Sequence, residues 1–127
     1  MPSYDGASYR PPAPVASVTV RDPNSLAVVS GVMLLVDSGA DITFIPRAAI
    51  AHLGVSAETS AKVEVASFDG SRSFADAVNV DVLLGIHYFR GRYLVCNDAH
   101  GILGRDILNH VKLVLDGPIL EWSLQEP

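Results

Sequence analysis

A chain of 127 residues is long enough for one domain with a core of its own and too short for two. With 49% hydrophobic and 18% charged residues it cannot be a disordered chain, and a net charge of -5 leaves no basic face for nucleic acid. Its longest apolar stretch, residues 26–36, reaches about half a membrane span and is interrupted by Ser30 and Gly31. No basic-then-apolar leader opens the sequence, and Cys96 is the single cysteine. The expectation is a cytoplasmic protein with no internal disulfide and neither a membrane nor a nucleic acid as partner.

Residues 1–14 hold Pro2, Pro11, Pro12 and Pro14 among small polar residues without any period. They predict a flexible N-terminal arm ahead of one domain spanning 15–127. The signal then turns to β-structure. Val18-Thr19-Val20 is β-branched, 21–25 is rich in turn formers, and 26–29 and 32–36 read as strands with Ser30-Gly31 as the bend between them. Residues 46–54 form the first predicted helix, with Pro46 at its first position and Gly54 just past its end.

Residues 62–68 alternate, Val63 and Val65 on one face and Lys62 and Glu64 on the other. Asp69-Gly70 is a strong hairpin-turn pair, and 71–77 supplies the returning strand. Val78, Val80, Val82 and Leu84 alternate with Asn79, Asp81 and Leu83, a half-buried strand ending at Gly85. A strand at 88–96 leads into the loop 97–101. Residues 105–111 form a second short helix, apolar through Ile107, Leu108 and Val111. A terminal hairpin follows, with 113–115 and 119–124 as strands and Asp116-Gly117-Pro118 as its turn. Many short strands and two brief helices describe an all-β, barrel-like domain.

Two segments stand out chemically. Asp37-Ser38-Gly39-Ala40 closes the apolar run Val32-Met33-Leu34-Leu35-Val36, so one carboxylate sits on a tight turn at the mouth of a buried strand. Alone, Asp, Ser and Gly are simply turn formers. Further on, the chain reads Ile102-Leu103-Gly104-Arg105-Asp106, an apolar-apolar-Gly segment suited to packing beneath that turn. Other chemistries find little support. The four histidines share no metal-ligand spacing, Val36 stands where a serine-nucleophile elbow needs glycine, and phosphate-binding loops are absent.

Taken together, the two segments resemble the active-site signature of the retropepsin-like aspartic proteases, the single-domain relatives of pepsin. The resemblance implies a closed barrel with a flap hairpin and an aspartic endopeptidase that needs no cofactor or metal. Such an enzyme activates water with one carboxylate while a second, protonated, polarises the peptide carbonyl. Asp5-Gly6, Asp69-Gly70 and Asp116-Gly117 lack an apolar approach strand and read as turns, so the chain offers one candidate, Asp37. The dyad then requires a homodimer, with Asp37 from each protomer.

Under the same resemblance, Ser38 bonds backbone across the dimer axis, Gly39 leaves room for a peptide substrate, and Ala40 replaces a serine common in pepsin-like relatives. The missing hydroxyl points to a mildly acid optimum rather than a strongly acid one. Asp41 and Arg105 are expected to form a structural ion pair, and Ile102, Leu103 and Gly104 to pack under the active site. Asp106 departs from the common retroviral asparagine. Phe68, Asp69 and Gly70 fall where the family carries its flap. The rival reading is a non-catalytic module that keeps the retropepsin fold for dimerisation or protein binding.

Overall fold

The structure, a computed structural model, describes residues 2–55, 58–66 and 69–125, with the backbone alone for 58–62. In chain order its elements are β1 (Tyr4–Asp5), β2 (Ala13–Arg21), β3 (Val28–Val36), β4 (Phe44–Pro46), α1 (Arg47–Leu53), β5 (Glu58–Ala66), β6 (Arg72–Leu84) and β7 (His87–Cys96). There follow β8 (Gly101–Leu103), α2 (Arg105–Leu108), β9 (Lys112–Asp116), a 3-10 turn at Gly117–Ile119 and β10 (Glu121–Gln125). Strands β1 to β8 form one sheet in the order β1-β2-β3-β8-β4-β7-β6-β5, and β2 also pairs with β6. That extra pairing makes β2, β3, β8, β4, β7 and β6 close on themselves, the expected all-β retropepsin-like barrel.

The period-2 segments supply its filling. Val18, Val20, Val32, Leu34, Val78, Val80 and Val82 are buried together with Ile45, Leu103 and Ile107. Each such side chain contributes about 1.5–3 kcal/mol when removed from water. Trp122 of β10 joins this core and donates its indole N–H to the Val15 carbonyl at 3.2 Å.

Several boundaries differ from the sequence reading. Residues 28–36 form one strand rather than two, because the Ser30-Gly31 break is absorbed as a bulge. Val18 pairs with Val32 while Val20 pairs with Val29, and Gly31 adopts φ +71°. Residues 72–77 and 78–84 likewise merge into β6, since no glycine or proline interrupts them. Pro46 ends β4 and caps α1 from outside, and Gly54 closes the helix at φ +74°. Helix α2 is only Arg105–Leu108.

The stretch expected as a flexible arm is tied down by backbone bonds. Tyr4 pairs with Pro14, and Asp5 with Ala13. The Tyr4 N–H donates to the Leu120 carbonyl at 2.8 Å, and the Trp122 N–H to the Pro2 carbonyl at 3.0 Å. Main-chain pairing of this kind leaves no apolar period to read.

Buried in the barrel wall, Asp81 accepts Nε–H bonds from Arg90 at 2.9 Å and from Arg21 at 3.0 Å. Arg21 also lies 3.8 Å over the Tyr88 ring. The Arg90 bond, opposed by burial and helped by Arg21, holds the Asp81 carboxyl below the usual carboxylate range. A depressed folded value means stabilisation that is complete above the unfolded value and is lost as pH falls through the folded one. Asp81→Asn is therefore expected to cost about 1–2 kcal/mol near neutral pH, a loss moderated by the exposure of Arg90. Thermal melts of both proteins should converge below about pH 4, where the wild type gives up that contribution.

Candidate active site

Strands β3 and β8 run parallel, with Leu34 beside Gly101, Leu35 beside Ile102 and Val36 beside Leu103. This pairing carries both sequence segments to the same place. The chain leaves β3 into the turn 37–40, and the Asp37 N–H donates to the Leu103 carbonyl at 3.1 Å. Leu103 and Gly104 are buried directly behind that turn. A methyl group on Gly104 would stand 2.6 Å from the Ile42 carbonyl carbon and 3.1 Å from the Ala40 carbonyl oxygen. Only glycine lets the two backbones approach this closely.

The turn orients its acid. The Gly39 N–H donates to Asp37 Oδ1 at 2.9 Å, and the Ala40 N–H reaches the Asp37 carbonyl at 3.2 Å. This is an Asx turn in which one carboxylate oxygen is held by main chain. Asp37 is half-buried, while Ser38 and Gly39 are exposed.

From the far side, the Arg105 N–H donates to the Ala40 carbonyl at 2.8 Å and its guanidinium Nη1 to the Ser38 carbonyl at 2.7 Å. The expected Asp41–Arg105 ion pair does not form within the chain: no such bridge exists among the described residues. Both side chains are exposed, so the charge pair offers about 0–1 kcal/mol. A carbonyl already within reach serves the guanidinium instead.

Thr43, which the sequence reading overlooked, joins the two segments. It is fully buried. Its hydroxyl donates to Asp106 Oδ1 at 2.6 Å and accepts the Gly104 N–H at 3.0 Å. Its own N–H donates to Asp106 Oδ2 at 3.0 Å, and its carbonyl accepts the Leu94 N–H at 3.1 Å. Asp106 also receives the Ile107 N–H at 3.0 Å. The acid that replaces asparagine thus has a purpose. An ionised carboxylate accepts all three bonds at once, with no amide to orient.

Asp37, Gly39, Ala40, Asp41 and Arg105 line an open cleft of about 510 Å³ together with Phe44, Val65 and Ala66. Val65 and Ala66 come from the end of β5, whose hairpin with β6 pairs Val65 with Ser73 and Ala66 with Arg72. That hairpin therefore borders the space in front of Asp37. Of its expected flap residues, Phe68 lies outside the described residues. Asp69 and Gly70 form the exposed turn, with the Ser71 N–H on Asp69 Oδ1 at 2.9 Å and Gly70 at φ +84°. Phe74, two-thirds exposed on β6, is an aromatic of this hairpin that alternation alone did not single out. Among the described residues no cluster of three or more histidine, cysteine or acidic side chains could hold a metal ion.

A barrel that brings one Asp-Ser-Gly turn against an apolar-apolar-Gly strand defines the retropepsin fold. Residues 16–107 match the family model described as aspartyl protease, and the chain belongs to that family. Among solved structures it is similar to the EIAV protease complexed with the inhibitor HBY-793, at 23% identity and a TM-score of 0.58, over 77% of this chain and 86% of that one. It is also similar to a retropepsin-like aspartic protease from Rickettsia conorii, at 17% identity and a TM-score of 0.56, over 85% of this chain and 88% of the other. No curated protein sequence matches it.

Proposed function

We propose that the protein is an aspartic endopeptidase that works as a homodimer, each protomer supplying Asp37 to a shared dyad. The observation that carries this reading is the single Asp37, held at one oxygen by Gly39 and facing a cleft bordered by a β-hairpin. Two such carboxylates a few ångströms apart share one proton. The ionised member takes a proton from water while its protonated partner polarises the scissile carbonyl. The tetrahedral intermediate then collapses as the amine leaves with a proton from the dyad.

The remaining groups position the acid. Ser38, exposed beside Asp37, offers its hydroxyl to the partner's turn. Arg105 and the Thr43–Asp106 pair hold the loop from behind. An extended peptide enters the cleft as an added strand, so that its backbone supplies affinity and its side chains specificity. That a fold neighbour was solved with an inhibitor supports a ligand-binding role for this fold, by analogy alone.

The test is hydrolysis of an unstructured protein substrate by the purified chain. Cleavage abolished by pepstatin is the expected result. A folded dimer that cleaves no peptide from about pH 2 to about pH 7, which brackets the ordinary carboxylate range, would return the chain to the class of non-catalytic binding modules.

A further inference from the structure

Strand β4 pairs with β7 only from Leu94 to Cys96, so the start of β7 runs on beyond it. There it meets the segment that leaves α2. Between the two, with the end of β10 as a third side, lies an open cleft of about 450 Å³. It shares no lining residue with the Asp37 cleft.

The floor of this second cleft is apolar. Phe89, Val111 and Leu124 pack against the barrel core and give their remaining surface to the space. Its rim is basic. His87 opens β7, His110 follows α2 and Lys112 opens β9, three exposed side chains from separate places in the chain. The His110 ring rests against Phe89, with centroids 6.4 Å apart and planes at 32°, and its backbone N–H donates to the Ile107 carbonyl at 2.9 Å.

Among the described residues no aspartate or glutamate lines the cleft. The chain carries 14 acids against 9 lysines and arginines, so a concavity with basic groups alone reverses the balance of the whole molecule. Lys112 makes no ion pair among the described residues and stands across β10 from uncharged Gln125. The other ionisable groups alongside are Tyr88, in the lining, and Arg21 over the Tyr88 ring, whose charge Asp81 takes up. An imidazole donates an N–H in either tautomer and gains charge in mild acid, while an ammonium is charged throughout. A ligand that suits both layers carries carboxylates close beside apolar side chains.

We propose that this cleft is an exosite for acidic segments of the protein substrate. Substrate carboxylates meet His87, His110 and Lys112 while a neighbouring aromatic or aliphatic residue lies on Phe89, Val111 and Leu124. The inference rests on the endopeptidase reading, which supplies the polypeptide partner. A contact remote from the scissile bond holds substrate and transition state equally, so it lowers KM and leaves kcat unchanged.

The test is fluorescence anisotropy at about pH 6 with dye-labelled Glu-Phe-Glu-Leu-Glu and a counterpart carrying glutamine for each glutamate. Both are titrated with the Asp37→Asn chain and with the same chain carrying His110→Gln/Lys112→Gln. The acidic peptide is expected to bind, and the double substitution to raise its dissociation constant about tenfold. The glutamine peptide should bind about tenfold more weakly than the acidic one. Lys112→Gln alone, at an exposed position, should weaken binding about threefold and decides the matter if the double variant misfolds. With Asp37 intact, the double substitution should raise KM for a substrate extended by the acidic segment and leave cleavage of a short neutral peptide unchanged.

Equal binding by the substituted and unsubstituted chains, or of the two peptides, would overturn the exosite. So would displacement of the acidic peptide by inorganic phosphate as readily as by unlabelled peptide, which reduces the cleft to a simple anion site. If the neutral peptide is cleaved in those cases, the protease reading stands and only the exosite falls. Charge-dependent binding by a chain that cleaves no peptide would keep the acidic-peptide site and remove the protease.

Discussion

Asp37→Asn is expected to fold and dimerise as the wild type does and to lose peptide hydrolysis by about a thousandfold or more. The amide keeps the shape of the side chain, and its oxygen can still accept the Gly39 N–H that orients Asp37 in the turn. What it cannot do is share a proton. A dyad of two amides neither takes a proton from water nor returns one to the leaving amine. The readout is the initial rate on a fluorogenic peptide, with circular dichroism and sedimentation as controls for fold and assembly. A variant that cleaves at the wild-type rate would transfer the chemistry to another group.

Gly104→Ala is the second substitution of large expected effect, and it acts through the backbone. The added methyl would lie 2.6 Å from the Ile42 carbonyl carbon and 2.7 Å from its oxygen, neither of which can rotate away. Relief requires the Asp37 turn and the start of α2 to separate. That movement strains the Thr43 hydroxyl bond to the Gly104 N–H and the Arg105 N–H bond to Ala40. Overpacking at such a point costs about 3 kcal/mol, and it displaces Asp37 as well. A lowered melting temperature together with lost activity is expected. Unchanged stability would mean that the two segments are not in contact as described.

Much of this arrangement is legible in the chain because local and long-range signals agree. Strict alternation in 78–84 and the apolar run in 32–36 announce strands. Asp69-Gly70 announces the turn between β5 and β6, and Pro46 and Gly54 bracket α1. The family resemblance then joins residues 37–40 to 102–106, which no local pattern could do.

What escaped the reading has identifiable causes. Thr43 is one hydroxyl in an apolar stretch, and its importance lies in four bonds to partners distant in sequence. The family resemblance pairs Arg105 with Asp41, whereas the Ser38 carbonyl of the turn satisfies its guanidinium. The bulge at Ser30-Gly31 looked like a turn because a glycine with positive φ serves both equally well. Residues 2–5 carry no period because their backbone, not their side chains, secures them.

The account turns on two chains sharing one active site, and a mixing experiment addresses that directly. Wild-type protein is combined with an equal amount of Asp37→Asn chain, exchange is followed to completion with a label, and hydrolysis is measured at constant wild-type concentration. Random closed pairing leaves about a quarter of the dimers with both acids, so activity should fall to about half that of the unmixed wild type. Activity that stays in proportion to the wild-type chain after complete exchange would mean that one protomer builds its site alone, and the shared dyad would be contradicted.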